Sequence, residues 1–276
     1  MSDPFPGLLL AGAPAARASR TEQPTGNIHA WHLTQRPPAL TYELYLVLSG
    51  CALQCLNCPT PEVWDRSGGD ESPFPEAQSR LQAHRQAVTG SGGGFTLTGG
   101  DPFAQPGFTA AVLRAAREQG YRTTLETPGY LGGLVPDTTL DDIGVIVLDL
   151  KTTDPQLFRR ITRQDINPVL QFTDRLAASG REVHLSYLLI PGLNDSRQNI
   201  DDLARFVNAH ANISRVEVMG FQHLGTGSYR RLGLPYELRG TAEATTGQIQ
   251  RARTLFEDQG CITDLGVTIR SPADQF

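Results

Sequence analysis

Cysteine is scarce in this chain, with four residues in 276. A chain of that length buries a core without covalent staples, and three of the four cysteines are clustered, so a disulfide framework is excluded. Positive charge is also in short supply: 24 Lys and Arg face 29 Asp and Glu, for a net charge of −5. No basic run stands out, which argues against nucleic acid as the main partner. No apolar run reaches the roughly 18 residues of a spanning helix, so no membrane segment is expected. The apolar segment 7–16 has no positively charged stretch ahead of it and makes a poor export signal. Hydrophobic residues at 39% and charged residues at 19% are those of an ordinary globular protein. The expected location is the cytoplasm.

What the chain does have is a concentration of thiols. Cys51, Cys55 and Cys58 follow the pattern C-x3-C-x2-C, directly after the apolar run Tyr42–Leu48. Thiolates at this density suit an iron–sulfur cluster, which takes about four cysteines when fully ligated. A local trio leaves one iron without a local protein ligand, open to a small molecule. Structural zinc is the alternative. It would need a fourth Cys or His and usually comes as paired knuckles. Cys261 is the only other cysteine; it has no knuckle partner, and a buried apolar role suits it better.

Residues 1–25 are rich in Pro, Ala and Gly without a period and read as a flexible lead. Residues 26–276 read as one domain with a C-terminal helix. Within it, strand-like and helix-like runs alternate. Strands are expected at Tyr42–Leu48, Phe95–Thr98, Arg122–Glu126, Ile143–Leu150, Glu182–Ile190 and Arg215–Met219. Helices are expected at Pro75–Val88, Pro106–Gln119, Pro155–Thr162, Asn167–Ser179, Ser196–Ala209 and Thr241–Gln259. Phe108, Val112, Leu113 and Ala116 form a helical stripe that Gly120 ends. Ser196 suits an N-cap, ahead of Ile200, Leu203, Phe206 and Val207 on one face. Ile143–Leu150 is nearly all apolar, the pattern of a strand buried on both faces. Six βα units imply a parallel sheet with right-handed crossovers. A closed eight-unit barrel needs more strands than these. The expected fold is therefore α/β, a partial, open (β/α)6 barrel.

In such folds ligands sit where the βα loops leave the carboxyl ends of the strands. The short motifs of this chain fall at those places. Gly99-Gly100-Asp101-Pro102 is by composition an ordinary turn, but after a strand its glycines let the backbone approach a ligand. Glu126 ends the third strand, and Asp149 and Lys151 end the fourth. Two acids at neighbouring strand ends would repel each other without a cation or the lysine, and a lysine there suits a carboxylate. A solvated Asp–Lys pair is the plainer alternative.

On these residues the chain resembles the radical S-adenosylmethionine (SAM) enzymes. Within them it is similar to the glycyl-radical-enzyme activases of the pyruvate formate-lyase activating type. The similarity runs from Gly26 to Leu238. Gly26–Trp31 resembles the family's opening strand and Cys58–Asp65 the tail of its cysteine motif. Val147–Lys151, Leu189–Asp195 and Leu224–Gly225 resemble later motifs. The resemblance implies that Cys51, Cys55 and Cys58 hold a [4Fe–4S] cluster whose open iron takes SAM, and that Gly99, Gly100 and Asp101 form the SAM segment. It puts Asp149 and Lys151 near the methionine end, and lets Glu126, Asp149 and the Val147 carbonyl hold a monovalent cation. His223 stands one place beyond the family histidine, here Gln222, and is carried as a cofactor contact.

The implied reaction is reductive cleavage of SAM to a 5′-deoxyadenosyl radical, which removes a glycine Cα hydrogen from a partner glycyl-radical enzyme. Flavodoxin or ferredoxin is the implied electron donor. A radical SAM enzyme for a small molecule or peptide is one alternative, and a non-catalytic iron–sulfur or zinc sensor is another. Several positions depart from the family pattern. Arg36-Pro37-Pro38-Ala39 stands near the place of an Asp-Gly-Pro-Gly segment, Asn57 replaces an aromatic residue, and Ser186 replaces an arginine. Residues 65–80 hold no cysteine, so the ferredoxin insert is missing and the chain holds one cluster. His29 and His184 read as structural, and Arg159, Arg160, Arg230 and Arg231 as solvated.

Overall fold

The computed structural model describes residues 23–36 and 40–264. Most of the expected lead, residues 1–22, and the prolines and alanine of the Arg36–Ala39 departure lie outside the described residues. Thr25 already belongs to a strand.

The first half of the chain runs β1 (Thr25–Arg36), β2 (Thr41–Leu48), β3 (Asp70–Pro73), α1 (Phe74–Gly90), β4 (Gly94–Gly99), α2 (Pro106–Glu118), β5 (Arg122–Thr127), α3 (Asp137–Leu140) and β6 (Val145–Asp149). The second half runs α4 (Pro155–Thr162), α5 (Asn167–Ala178), β7 (Val183–Leu189), α6 (Arg197–Ala209), β8 (Ile213–Gly220), α7 (Thr226–Arg231) and α8 (Thr246–Asp258). The described strands form one sheet in the order β3-β1-β2-β4-β5-β6-β7-β8. From β2 onward every neighbour is parallel. Each crossover carries the chain one place further, so the sheet curls without β8 meeting the opposite edge. This is the open, six-unit half-barrel expected from the pattern.

Two antiparallel strands, β1 and β3, extend the sheet beyond β2. β1 alternates poorly, with Asn27, His29, His32 and Gln35 among its residues; only the resemblance suggests a strand there. β3 is four residues long, mostly exposed, and ends in proline. Among the described residues no helix is long and apolar enough to cross a membrane.

Helices cover the outer face. α2 buries Phe108, Val112, Leu113 and Ala116, and Gly120 follows with φ +84°, as a C′ glycine should. α6 starts from Ser196, whose side chain accepts from the Asn199 N–H, and buries Ile200, Leu203 and Val207. Phe206 is only half-buried and lies beside His210, ring centroids 4.3 Å apart.

The last helix corrects an expectation. It begins at Thr246 rather than Thr241, because Thr245 and Gln248 form a capping box there. β6 corrects another. Ile146 and Leu148 are buried, while Val145, Val147 and Asp149 are only partly so. A curled sheet has helices on one side and a lumen on the other, so an apolar strand need not be covered twice.

One buried side chain ties the carboxyl ends of β6 and β7. Asn194 Oδ1 accepts from the Ile190 N–H at 2.7 Å. Its amide donates to the carbonyls of Leu188 at 2.9 Å and Lys151 at 3.1 Å. The Asn194 carbonyl accepts from the Tyr187 hydroxyl and the Asn199 amide, each at 2.7 Å. Asn194→Ala strips partners from three backbone groups. It is expected to lower stability by about 3 kcal/mol, read as a shifted denaturant midpoint at constant slope.

Candidate active site

A cavity of about 980 Å³ follows the inner face of the sheet. At the strands' carboxyl ends its wall brings together Cys51, Cys55, Cys58, Gly99, Gly100, Glu126, Asp149 and Lys151. Asp101 and His223 are not part of that wall.

The cysteine loop is held by backbone bonds from three directions. Gly50 and Cys51 donate to the carbonyls of Val63 and Trp64 at 2.7 and 3.2 Å. Gln54 and Leu56 donate to Thr162 and Ile161 at the end of α4, at 3.1 and 2.9 Å. From α7, the Tyr229 hydroxyl donates to the Cys55 carbonyl at 3.4 Å. The backbone of the loop is thus held before any ligand arrives.

Burial pushes all three thiols up. Cys58 reaches about 12, with Cys55 adding to the rise. Cys51 is held well above its ordinary value by burial, then by Cys55 and Asp101. For Cys55, burial outweighs the opposing pull of Lys151. A cationic metal centre reverses that preference by binding thiolates and releasing their protons.

Gly99 and Gly100 are glycines by necessity. At Gly99, φ is +135° and an added Cβ would lie 2.1 Å from the Leu48 carbonyl oxygen. At Gly100 it would lie 2.3 Å from the Gly50 carbonyl oxygen and 2.8 Å from Cys51 Cβ. The segment therefore lies directly against the cysteine loop, presenting backbone without side chains. Asp101 turns the other way. Its carboxylate is buried and accepts from Phe103 N–H, Thr127 Oγ1 and Leu131 N–H at 3.2, 2.9 and 3.1 Å.

Lys151 is 3% exposed and its Nζ lies 2.5 Å from Asp149 Oδ2. Burial alone would lower its pKa, but Asp149 and then Cys55 carry it above the ordinary value. The second carboxylate oxygen of Asp149 is buried without a hydrogen-bond partner, and so is Asn57 Oδ1. Both residues line the cavity.

His223 does not join this group. Its Nδ1 pairs with the Tyr236 hydroxyl at 3.1 Å and its Nε2 with the Thr241 carbonyl at 2.9 Å, and it lines a separate pocket with Tyr229 and Arg230. Cys261 is buried in the core and cannot serve the trio. The wall also includes Thr98, Thr124, His184, Ser186, Glu217 and Met219, none of which the motifs mark as ligand-binding. Strand parity would have found them: Thr124 shares a face with Glu126, and His184 and Ser186 share one across β7.

The donors fit an iron–sulfur cluster with a small polar ligand beside it. Three clustered thiols, a bare glycine segment and orphaned polar oxygens at one wall suit a large, composite occupant.

The Radical SAM superfamily model matches residues 45–207. The pyruvate formate-lyase-activating enzyme of Clostridium pasteurianum is 32% identical over 190 residues, 69% of this chain and 79% of that one. The pyruvate formate-lyase 1-activating enzyme of Escherichia coli strain K12 is 25% identical over 237 residues, 85% and 96% of the two chains. A radical SAM methyltransferase from Sphaerobacter thermophilus shares the fold, with a TM-score of 0.62 and 18% identity over 88% of this chain and 72% of that one. With its cysteine trio and glycine segment meeting at one rim, the chain belongs to the radical SAM superfamily, as an enzyme similar to pyruvate formate-lyase-activating enzymes.

Proposed function

We propose that this enzyme reductively cleaves SAM beside a [4Fe–4S] cluster held by Cys51, Cys55 and Cys58, and activates a partner glycyl-radical enzyme. The observation that carries the reading is a meeting in one cavity wall: three thiols, a side-chain-free glycine segment, and a buried lysine paired with Asp149, one of whose carboxylate oxygens has no hydrogen-bond partner. The names of the two activating-enzyme relatives support the choice of acceptor.

When bound, the cluster and SAM supply a 5′-deoxyadenosyl radical that abstracts a C–H hydrogen. The chain's own part is to bind, orient and shield. Gly99 and Gly100 offer backbone to the SAM amino group at close range. Lys151 offers a fixed positive charge to its carboxylate, and needs no proton transfer to do so. The open oxygen of Asp149, with Glu126 and the Val147 carbonyl, suits a monovalent cation. The lumen beyond receives the substrate glycine and keeps water from the reacting atoms. Flavodoxin or ferredoxin delivers the electron.

Four outcomes test this. Anaerobically reconstituted, reduced protein is expected to release 5′-deoxyadenosine from SAM, and Cys55→Ala to release none, as followed by chromatography. Lys151→Met is expected to weaken SAM binding at least about tenfold in equilibrium dialysis. The raised Lys151 pKa means its charge is complete below the ordinary lysine value of about 10.4 and fades only above it. Wild-type SAM affinity should accordingly show no lysine titration between about pH 7 and 9. Finally, mixing with a pyruvate formate-lyase polypeptide should generate a glycyl radical visible by EPR. Cleavage of SAM without that signal would retain the chemistry and discard the acceptor.

A further inference from the structure

Asp101 is 1% exposed, yet it faces away from the cavity wall. Its carboxylate receives three hydrogens, from the backbone of Phe103 and Leu131 and from the Thr127 hydroxyl. Thr127 Oγ1 also accepts from the Gly129 N–H at 2.9 Å. Both carboxylate oxygens receive backbone N–H groups that can only donate, Oδ1 from Phe103 and Oδ2 from Leu131, an arrangement that favours the carboxylate. Burial favours the neutral acid; the backbone donors favour the anion.

That anion sits at a junction. Its own N–H donates to the Gly50 carbonyl at 2.8 Å, next to Cys51. Its side chain clasps the loop after β5, and Gly100 before it packs on Cys51.

We propose that Asp101 is a positioning residue that clasps the Gly99–Gly100 segment to the loop after β5 and, as a buried anion beside Cys51, lowers the reduction potential of the cluster held there. The inference rests on reading Cys51, Cys55 and Cys58 as cluster ligands. An electron added to the cluster is repelled by a fixed negative charge in a poorly screened site, and nearby charge is among the levers that set such potentials. Lys151, near Cys55, acts in the opposite sense.

The test is a redox titration of the reconstituted protein, with the reduced cluster followed by EPR at constant pH, for wild type, Asp101→Asn and Thr127→Val. Asp101→Asn removes the charge. Its potential should rise by an amount corresponding to at least tenfold in the reduction equilibrium, about 59 mV for one electron. Thr127→Val keeps the anion but takes away one of its donors, so its potential should fall. Shifts of opposite sign support the proposal. An unmoved or lowered potential in Asp101→Asn, or shifts of the same sign in both variants, overturns it, since loosening of the clasp would move both alike. If Asp101→Asn does not fold, the direction in Thr127→Val decides: a fall supports the proposal, and a rise or no change overturns it. A wild type that holds no cluster would instead overturn the reading on which the proposal rests.

Discussion

A buried lysine organises the carboxyl end of this sheet. Lys151 is enclosed in a wall that also contains three cysteines, Glu126 and Asp149, with Asp101 just behind it. Taken from water alone, an ammonium at 3% exposure would shed its proton. The contact with Asp149 Oδ2 at 2.5 Å keeps it charged instead. The dependence is mutual, because the same ammonium partners the Asp149 carboxylate. Asn194 supports the arrangement from behind, by binding the Lys151 carbonyl and the end of β7 together.

Much of the fold is legible in the sequence because parallel strands in a curled sheet carry strong local marks. Each apolar run ends at glycine, proline or a charged pair, and each helix brings its own stripe. β3 escapes, and β1 shows only through the resemblance, because their pairing partners, not their composition, make them strands. α7 escapes because six residues beginning after Gly225 leave no period to read. Ile143–Leu150 reads correctly as a strand but not in its surroundings. Its apolar residues on the inner face are there to line a lumen, and hydrophobicity alone does not distinguish a lining from a core.

The site divides along a similar line. Cysteine ligands must be close in sequence when one short loop supplies them, so their spacing shows in the bare order of residues. Gly99 and Gly100 are readable because only glycine fits where two backbones touch. Asp101 and His223 carry motif positions that single them out in the sequence, but neither lines the cavity wall. In an extended loop, adjacent side chains point to opposite sides. At position 223 the imidazole is held between Tyr236 and Thr241.

Among the described residues the named strands form an open sheet with β3 at one edge and β8 at the other, where Thr263 adds a parallel bridge to Val216. A closed barrel admits only what can pass through its mouth, which favours free small molecules. A barrel with a seam can be entered from the side. A loop whose two ends remain anchored in a large folded body can slip through such a gap, expose one residue inside, and withdraw without unthreading. An open sheet is thus compatible, in its topology, with a stretch in the middle of a chain as well as with its ends.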